Sequence, residues 1–259
     1  MNLSKIVPPV KPYFPDEDIT HIKNDVEAIL RSGMLTMHAY TKRFEESFAK
    51  LCGAKHAVAT NSGTSALEIA LRSFKLKSND EVLVPTNTFS ATAAAVFLAG
   101  GKPVLTDINP KTLCIDAENV QKYITPKTKG VIVVHIGGLV CPDINKIREI
   151  CGDKQLFLIE DSAHAHGSTL NKKYAGTFGD AGCFSFYPTK IITTGEGGML
   201  ITGNDEIANT ARILRDQGKE SFTSENIIKL GNNWRLPEIN AAIGLAQLER
   251  LEEILKKKE

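Results

Sequence analysis

The sequence has no apolar run close to the roughly 20 residues that a membrane-spanning helix needs. It also has no excess of either charge, since 31 Lys and Arg residues stand against 30 Asp and Glu residues. A chain this close to neutral offers no general attraction to nucleic acid or to an anionic membrane. The N-terminal residues MNLSKIVPPVKPYFPDEDI lack the apolar centre of a secretory signal. A cytoplasmic location is therefore expected.

Cysteine is scarce and dispersed, with five residues and no Cys-x-x-Cys spacing. An odd, scattered set argues against a disulfide framework and against a structural zinc site. We therefore expect the cysteines to be reduced and mostly buried. They are Cys52, Cys114, Cys141, Cys151 and Cys183.

Short apolar runs rich in β-branched residues alternate with helical patterns from residue 56 onward. Apolar strands separated by helices predict an α/β fold, in which a mostly parallel central sheet carries helices on both faces in three α/β/α layers. The predicted strands are residues 56–60, 81–85, 103–108, 130–135, 156–161, 181–186 and 198–202. The predicted helices between them are residues 65–74, 90–99, 116–123 and 143–151, and a further helix at 205–215 follows the last strand.

The two ends of the chain have different patterns. A Pro-rich start predicts an extended arm, followed by helices at residues 18–31 and 41–52. Residues 237–259 carry a broad apolar stripe and predict one long helix. Because this helix has no cap, a further C-terminal region is expected to be missing, with a natural short form as the alternative. The expected parts are an arm and helix at residues 1–35, a large ligand-binding domain at 36–235, and a helix at 236–259 that leads to the missing C-terminal region.

A turn rich in glycine and hydroxyl groups follows the first predicted strand. Gly63 allows a tight turn, and Thr64 and Ser65 offer hydroxyls and free N–H groups at the start of the next helix. Such a turn can bind a phosphate. The alternative is an ordinary N-cap, since Ser and Thr cap helices in many proteins. No Gly-Lys-Ser/Thr follows, so the turn is not a Walker loop.

Asp161 stands at the end of an apolar strand, in the run IEDSAHAHG. A carboxylate there needs a cationic or hydrogen-bonding partner. That partner is either a protonated pyridine nitrogen or, in the alternative, the backbone of the following turn. His164 and His166 follow, but no further ligand is near them in the sequence, so we expect no metal site.

Lys190 follows a strand and a Pro-Thr turn, and the Gly-rich stretch TTGEGG comes soon after it. A lysine that forms a Schiff base needs a desolvated site in which its neutral amine is accessible. The alternative is a solvated loop, where most lysines lie. Ser185, five positions before the lysine, can add a hydroxyl to a phosphate site.

These three features fit one ligand. Ligands of open α/β sheets collect beyond the carboxyl ends of the strands, where all three features fall. A phosphate-binding turn, a carboxylate at a strand end and a lysine after a later strand are what pyridoxal 5'-phosphate (PLP) requires. Lys190 lies 29 positions after Asp161, which leaves room for one hairpin-like excursion. PLP is therefore the predicted cofactor, with Lys190 and Asp161 as the catalytic residues.

Longer stretches spread through nearly the whole chain resemble the DegT/DnrJ/StrS family, the sugar aminotransferases of PLP fold type I. The resemblance implies the large domain of that fold. The stretches are NSGTSALEIAL, VLVPTNTFSATAAAV, GGKPVLTDI, IEDSAHAHGS, FGDAGCFSFYPTKIITTGEGGML, LRDQG and GNNWRLPEINAAIGLAQLERL.

The resemblance also implies roles for individual residues. Phe89 matches the aromatic residue that stacks on the cofactor ring, and His164 stands close to the cofactor where many members have Gln. Asn233 matches an asparagine that reaches the phosphate of the neighbouring subunit, so a homodimer is implied. By the same resemblance Lys190 holds the cofactor as a Schiff base and Asp161 pairs with the pyridine nitrogen. The positions matching phosphate ligands are Gly63, Thr64 and Ser185.

The implied reaction moves an amino group from glutamate (or glutamine) to a keto group of a nucleotide-linked sugar, in amino-sugar or polysaccharide biosynthesis. Lys190 would act as general base and then general acid. One alternative is a sugar dehydratase of the same family, although those relatives replace the lysine with His. The other is a truncated homologue that binds PLP without catalysis and has a regulatory or dimerising role, because family members usually continue into a small C-terminal domain.

Overall fold

A seven-stranded sheet forms the centre of the computed structural model, which describes residues 11–257. The order of its strands is β1-β9-β8-β5-β4-β2-β3. Strand β9 is antiparallel to both neighbours, and the other pairs are parallel. Strands β6 and β7 form a separate hairpin. The strands are β1 (His56–Thr60), β2 (Glu81–Pro85), β3 (Lys102–Thr106), β4 (Thr128–Val134), β5 (Phe157–Asp161), β6 (Thr169–Leu170), β7 (Lys173–Tyr174), β8 (Ala181–Ser185) and β9 (Gly198–Thr202).

Helices cover both faces of this sheet. The helices are α1 (Asp16–Ser32), α2 (Ala39–Cys52), α3 (Gly63–Arg72), α4 (Ser90–Leu98), α5 (Ala117–Tyr123), α6 (Ile144–Lys154), α7 (Asp205–Arg215), α8 (Glu238–Glu249) and α9 (Leu251–Lys256). Apolar side chains of α3, α4 and α7 form a core against the first face. Those of α5 and α6, and further along the sheet those of α2 and α8, pack on the second face. The three-layer α/β/α fold with a mostly parallel sheet is confirmed.

Strand β5 illustrates how the sequence builds both faces. Side chains alternate along a strand, so Phe157 and Ile159 join the core of the first face while Leu158 joins that of the second. Both sets are apolar because helices cover the sheet on both sides. The same alternation continues into the last two residues, Glu160 and Asp161, which therefore point to opposite faces.

The prediction of one long helix over residues 237–259 is wrong. The backbone leaves the helical conformation at Arg250 (φ −103°, ψ 8°), which separates α8 from α9. At this break the Arg250 guanidinium lies 2.7 Å from the Asp18 carboxylate of α1 and 3.0 Å from that of Glu253. The last two residues, 258 and 259, lie outside the described part, as does most of the predicted N-terminal arm. The division into three parts stays a prediction.

Three further features bear on function. The five cysteines are buried and unbridged, as expected. Among residues 11–257, no helix is long and apolar enough to cross a membrane. Within the same residues, no group of three or more His, Cys, Asp and Glu side chains is arranged to hold a metal ion.

Candidate active site

A cavity of about 500 Å³ opens at the carboxyl edge of the parallel strands. The segments that follow β1, β2, β4, β5 and β8 all contribute to its lining. Parallel strands end at the same edge of a sheet, so residues far apart in the chain meet there. The volume lies within the range of pockets that hold small-molecule cofactors.

Most of the residues predicted from the sequence come together in this cavity, and two do not. Ser65 and Asn233 lie outside the lining. The predicted residues that line the cavity are Gly63, Thr64, Phe89, Asp161, His164, Ser185 and Lys190.

Asp161 is placed in the lining of the cavity by its position in the sheet. It ends β5 and pairs with Val134 of β4 on one side and with Cys183 of β8 on the other. The side chain is only 6% exposed. Its Oδ2 accepts a hydrogen bond from the Thr92 hydroxyl (2.8 Å), and its Oδ1 accepts one from the Ala163 N–H (3.2 Å). One donor on each oxygen leaves acceptor capacity on the carboxylate for a cationic or N–H partner.

Lys190 lies in the turn after β8, where its own N–H donates to the carbonyl of Tyr187 (2.9 Å). The side chain is half-buried in the cavity wall. This burial lowers the pKa of the Lys190 ammonium below its usual value, while the negative charge of Asp161 opposes the shift in part. A lowered pKa increases the fraction of neutral amine, the form that attacks a carbonyl carbon. The cavity therefore suits a Schiff-base lysine.

His164 is oriented by the loop that follows β4. The Gly137 N–H donates to Nδ1 of the ring (3.2 Å), so the neutral ring carries its hydrogen on Nε2. Burial lowers the pKa of His164, the positive charge of Lys190 lowers it further, and Asp161 raises it. His164 therefore presents a neutral N–H donor in the cavity near neutral pH.

Helix α3 begins at the cavity with a close approach between two backbone segments. A Cβ atom at Gly63 would lie 2.8 Å from Cβ of Ser185, closer than side chains allow, so the position requires glycine. The Ser62 hydroxyl accepts from the Ser65 N–H (3.1 Å) and caps the helix. The first N–H groups of a helix have no partner inside it, and those of Gly63 and Thr64 belong to this set. Together with the Ser185 hydroxyl, they form a cradle suited to a phosphate.

Phe89 supplies an exposed apolar ring at the cavity. It is the N-cap residue of α4, and its side chain is 77% exposed although the ring is fully apolar. An exposed aromatic ring on the wall of a cavity suits stacking against a flat ligand.

Ser65 and Asn233 are linked through a third residue, Asn61. The Ser65 hydroxyl donates to Oδ1 of Asn61 (2.7 Å) and contacts the Ser62 hydroxyl (2.9 Å), so it serves the cap of α3. Asn61 Nδ2 donates to the backbone carbonyl of Asn233 (3.3 Å). The Asn233 side chain is exposed. Neither side chain reaches the cavity of this chain, and their predicted roles in cofactor binding stay predictions.

Sequence reasoning missed several polar residues of the lining. Thr88 and Thr92 enter from the start of α4, and Tyr187 and Glu196 flank Lys190 along the chain. Tyr187 and Glu196 belong to the stretches FYPTK and TTGEGG, whose position next to the lysine was the available signal. The two threonines lie in the run TNTFSATAAA, which has the composition of an ordinary helix start.

The residues present fit PLP. One cavity is lined by a carboxylate, an amine of lowered pKa, a helix start that only glycine allows and an exposed aromatic ring. Each group has the chemistry that one part of PLP needs: ring nitrogen, aldehyde, phosphate and ring face. The arrangement can hold an aldehyde cofactor covalently and can place a base beside it.

The chain is similar to known sugar aminotransferases. The model of the DegT/DnrJ/EryC1/StrS aminotransferase family matches residues 16–259. GDP-perosamine synthase of Caulobacter vibrioides is 45% identical over 216 residues, which are 83% of this chain and 58% of that protein. This chain spans from 58% to 67% of the length of this relative and of three other curated relatives that it matches.

Solved structures share the fold. Helicobacter pylori PseC, described as an aminotransferase involved in the biosynthesis of pseudoaminic acid, superposes with a TM-score of 0.87 at 32% identity, covering 95% of this chain and 66% of that one. NtdA of Bacillus subtilis, solved with bound cofactor PMP, has a TM-score of 0.85 at 33% identity, covering 96% of this chain and 58% of that one.

Proposed function

Because the chain belongs to the DegT/DnrJ/EryC1/StrS aminotransferase family, we propose that it binds PLP and transfers an amino group from glutamate (or glutamine) to a keto-sugar nucleotide. The observation that carries the proposal is the placement of Lys190, with its lowered pKa, and Asp161 in one cavity. The similarity to GDP-perosamine synthase and the fold shared with PseC support the sugar-nucleotide substrate class.

The cradle at the start of α3 would hold the cofactor phosphate. The N–H groups of Gly63 and Thr64 and the Ser185 hydroxyl would donate to its oxygens, and the partial positive charge of the helix start would favour them. Phe89 would cover the ring, and the Nε2–H of His164 is a donor for a polar group of the cofactor. These contacts would orient the cofactor before the amino donor arrives.

Lys190 and Asp161 would carry the chemistry. PLP, when bound, supplies an electron sink for the electrons released at the α-carbon of the amino donor. The Asp161 carboxylate would accept a hydrogen bond from the ring nitrogen and keep its proton in place. The Lys190 amine would hold the cofactor covalently until the nitrogen of the amino donor displaces it. Freed in this way, the amine would take a proton from the donor's Cα and deliver it to C4′ of the cofactor as a general acid. Its lowered pKa brings the amine closer to the operating pH.

A homodimer is part of the proposal. Asn233 is exposed and lies outside its own chain's cavity, which supports a role at the phosphate of the neighbouring subunit. A cytoplasmic location stays a prediction drawn from the sequence.

The Lys190→Ala substitution tests the proposal. The unsubstituted protein should develop a visible absorbance band when PLP is added, and Lys190→Ala should abolish both the band and transamination, because no amine remains to bind the aldehyde. Lys129→Ala is the matched control, since Lys129 is exposed near the other end of β4. An unchanged spectrum in Lys190→Ala would refute the assignment of Lys190 as the residue that binds PLP. PLP binding without turnover on any keto-sugar nucleotide would favour the non-catalytic alternative.

A further inference from the structure

The hydrogen bond between Thr92 and Asp161 joins the helix that carries Phe89 to the strand that carries the carboxylate. Thr92 lies in the first turn of α4, three residues after Phe89, and its side chain is fully buried. Its hydroxyl lies 2.8 Å from Oδ2 of Asp161, 69 positions away in the sequence. A threonine in a helix often returns its hydroxyl to a carbonyl one turn earlier. Here the Thr92 hydroxyl instead donates a hydrogen bond to the Asp161 carboxylate.

The contact has a direction, which is set by the number of hydrogens available. A carboxylate oxygen only accepts, so the single hydroxyl hydrogen of Thr92 is donated to Asp161. The Thr92 oxygen also lies 2.6 Å from the Thr88 hydroxyl. Because the Thr92 hydrogen is donated to Asp161, the Thr92 oxygen must accept the hydrogen bond from Thr88. The relay therefore runs from Thr88 to Thr92 to Asp161. Chains of this kind polarise each member and strengthen the last bond.

The second oxygen of Asp161 has a donor of a different kind. The Ala163 N–H that binds Oδ1 belongs to the turn directly after Asp161 and lies at 3.2 Å. A local backbone contact alone leaves the carboxylate free to rotate about its own bonds, whereas two donors on opposite oxygens fix its plane. Thr92 thus supplies the long-range contact that orients the group.

We propose that Thr92 is a positioning residue for Asp161, and that its buried hydroxyl, backed by Thr88, aims the carboxylate into the cavity. The inference rests on the proposed function, because it is the cofactor ring nitrogen that would meet the aimed oxygen. An isosteric valine would pack equally well in the buried site but would leave Oδ2 without its donor.

Three variants separate positioning from simple packing. Thr92→Val removes the hydroxyl at constant shape, and Thr92→Ser keeps the hydroxyl. Thr202→Val is the matched control, because Thr202 is also buried and bonds the Asp180 carbonyl, but lies at the opposite edge of the sheet beside His56. Crystal structures without added cofactor report the Asp161 orientation. PLP titration by visible absorbance reports affinity and the pH midpoint of the band.

In Thr92→Val, the Asp161 carboxylate should rotate from its position, PLP affinity should fall roughly tenfold and the pH midpoint of the band should shift. Thr92→Ser and Thr202→Val should keep the original orientation and an affinity within about twofold. An unrotated Asp161 carboxylate in Thr92→Val would overturn the inference, whether or not the unsubstituted chain binds PLP. If the unsubstituted chain forms no band with PLP, the proposed function is refuted separately. Unchanged affinity and pH midpoint in Thr92→Val would also overturn it.

Discussion

Glu160 and Asp161 are adjacent carboxylates at the end of one strand, yet their surroundings are opposite. Glu160 is fully buried on the second face and accepts hydrogen bonds from His135 Nε2 (2.8 Å) and from the N–H groups of Gly176 (2.7 Å), Phe178 (2.6 Å) and Gly179 (2.7 Å). Asp161 faces the cavity on the first side and accepts two hydrogen bonds, from Thr92 and Ala163.

The difference shows how one strand end serves two purposes. The bonds to Glu160 tie the loop before β8 to β5, so its acceptor capacity is taken up by the fold. Asp161 keeps capacity for a ligand. Each carboxylate also has a histidine near it: His135 is fully buried and bonded to Glu160, and His164 lies in the cavity with Asp161. Substitutions in the two pairs should therefore separate stability from activity.

Asp161→Asn should give the largest effect of the three substitutions, and this effect should be on activity. An amide cannot stabilise a protonated ring nitrogen as a carboxylate does, so turnover should fall on the order of 10²- to 10³-fold. The shape and the acceptor for Ala163 are retained, and the melting temperature should change little. Steady-state kinetics beside a thermal melt measure both quantities. A large loss of stability with normal turnover per folded molecule would contradict the assignment of Asp161 to activity and of Glu160 to stability.

Glu160→Gln should give the converse result. Its side-chain NH2 would meet backbone N–H donors where an oxygen now accepts, at a cost of about 3 kcal/mol in the free energy of unfolding. For a chain of this size, the melting temperature should fall by roughly 10 °C. Turnover of the fraction that stays folded should be close to that of the unsubstituted protein. Asp161→Asn serves as the matched control, and equal melting temperatures for the two variants would refute the division of roles.

His164→Gln should give the smallest effect, seen in the pH dependence of stability. The pKa of His164 is lowered in the folded state by burial and by Lys190, while an unfolded histidine titrates near pH 6.5, at about its reference pKa. Between these two pKa values the unfolded state binds more protons, so stability falls as pH decreases below about 6.5. His164→Gln should weaken this slope. Denaturant midpoints between about pH 5 and 7 measure this slope. An identical slope in His164→Gln and in the unsubstituted protein would contradict the lowered pKa of His164.

The fold was readable from the sequence because its signals are local. Apolar runs such as those at residues 56–60, 81–85 and 198–202 have the predicted bounds in the structure. The hairpin of β6 and β7 fits the predicted excursion between Asp161 and Lys190, but strands of two residues carry no periodicity. The break at Arg250 has no signal in the sequence, because the helical periodicity continues through it and the ion pair found there joins Arg250 to Asp18, far away in the chain.

The site was only partly readable for a similar reason. Asp161 ends a strand, and Gly63 and Lys190 follow strands closely, at positions where residue type indicates chemistry. Thr92 stands inside a helix and gains its role from a carboxylate 69 positions away. No role could be predicted for Glu160 from the sequence, because its hydrogen-bond donors come from the loop before β8.

The proposed function requires that Lys190 is the residue that holds PLP. The most direct measurement treats the full chain with PLP, reduces the adduct with borohydride and locates the modified residue by peptide mass spectrometry. The predicted result is a single modification on Lys190, and this selectivity should be lost when the chain is unfolded by denaturant before PLP is added. No adduct, or an adduct spread over exposed lysines such as Lys129 with Lys190 unmodified, would contradict it.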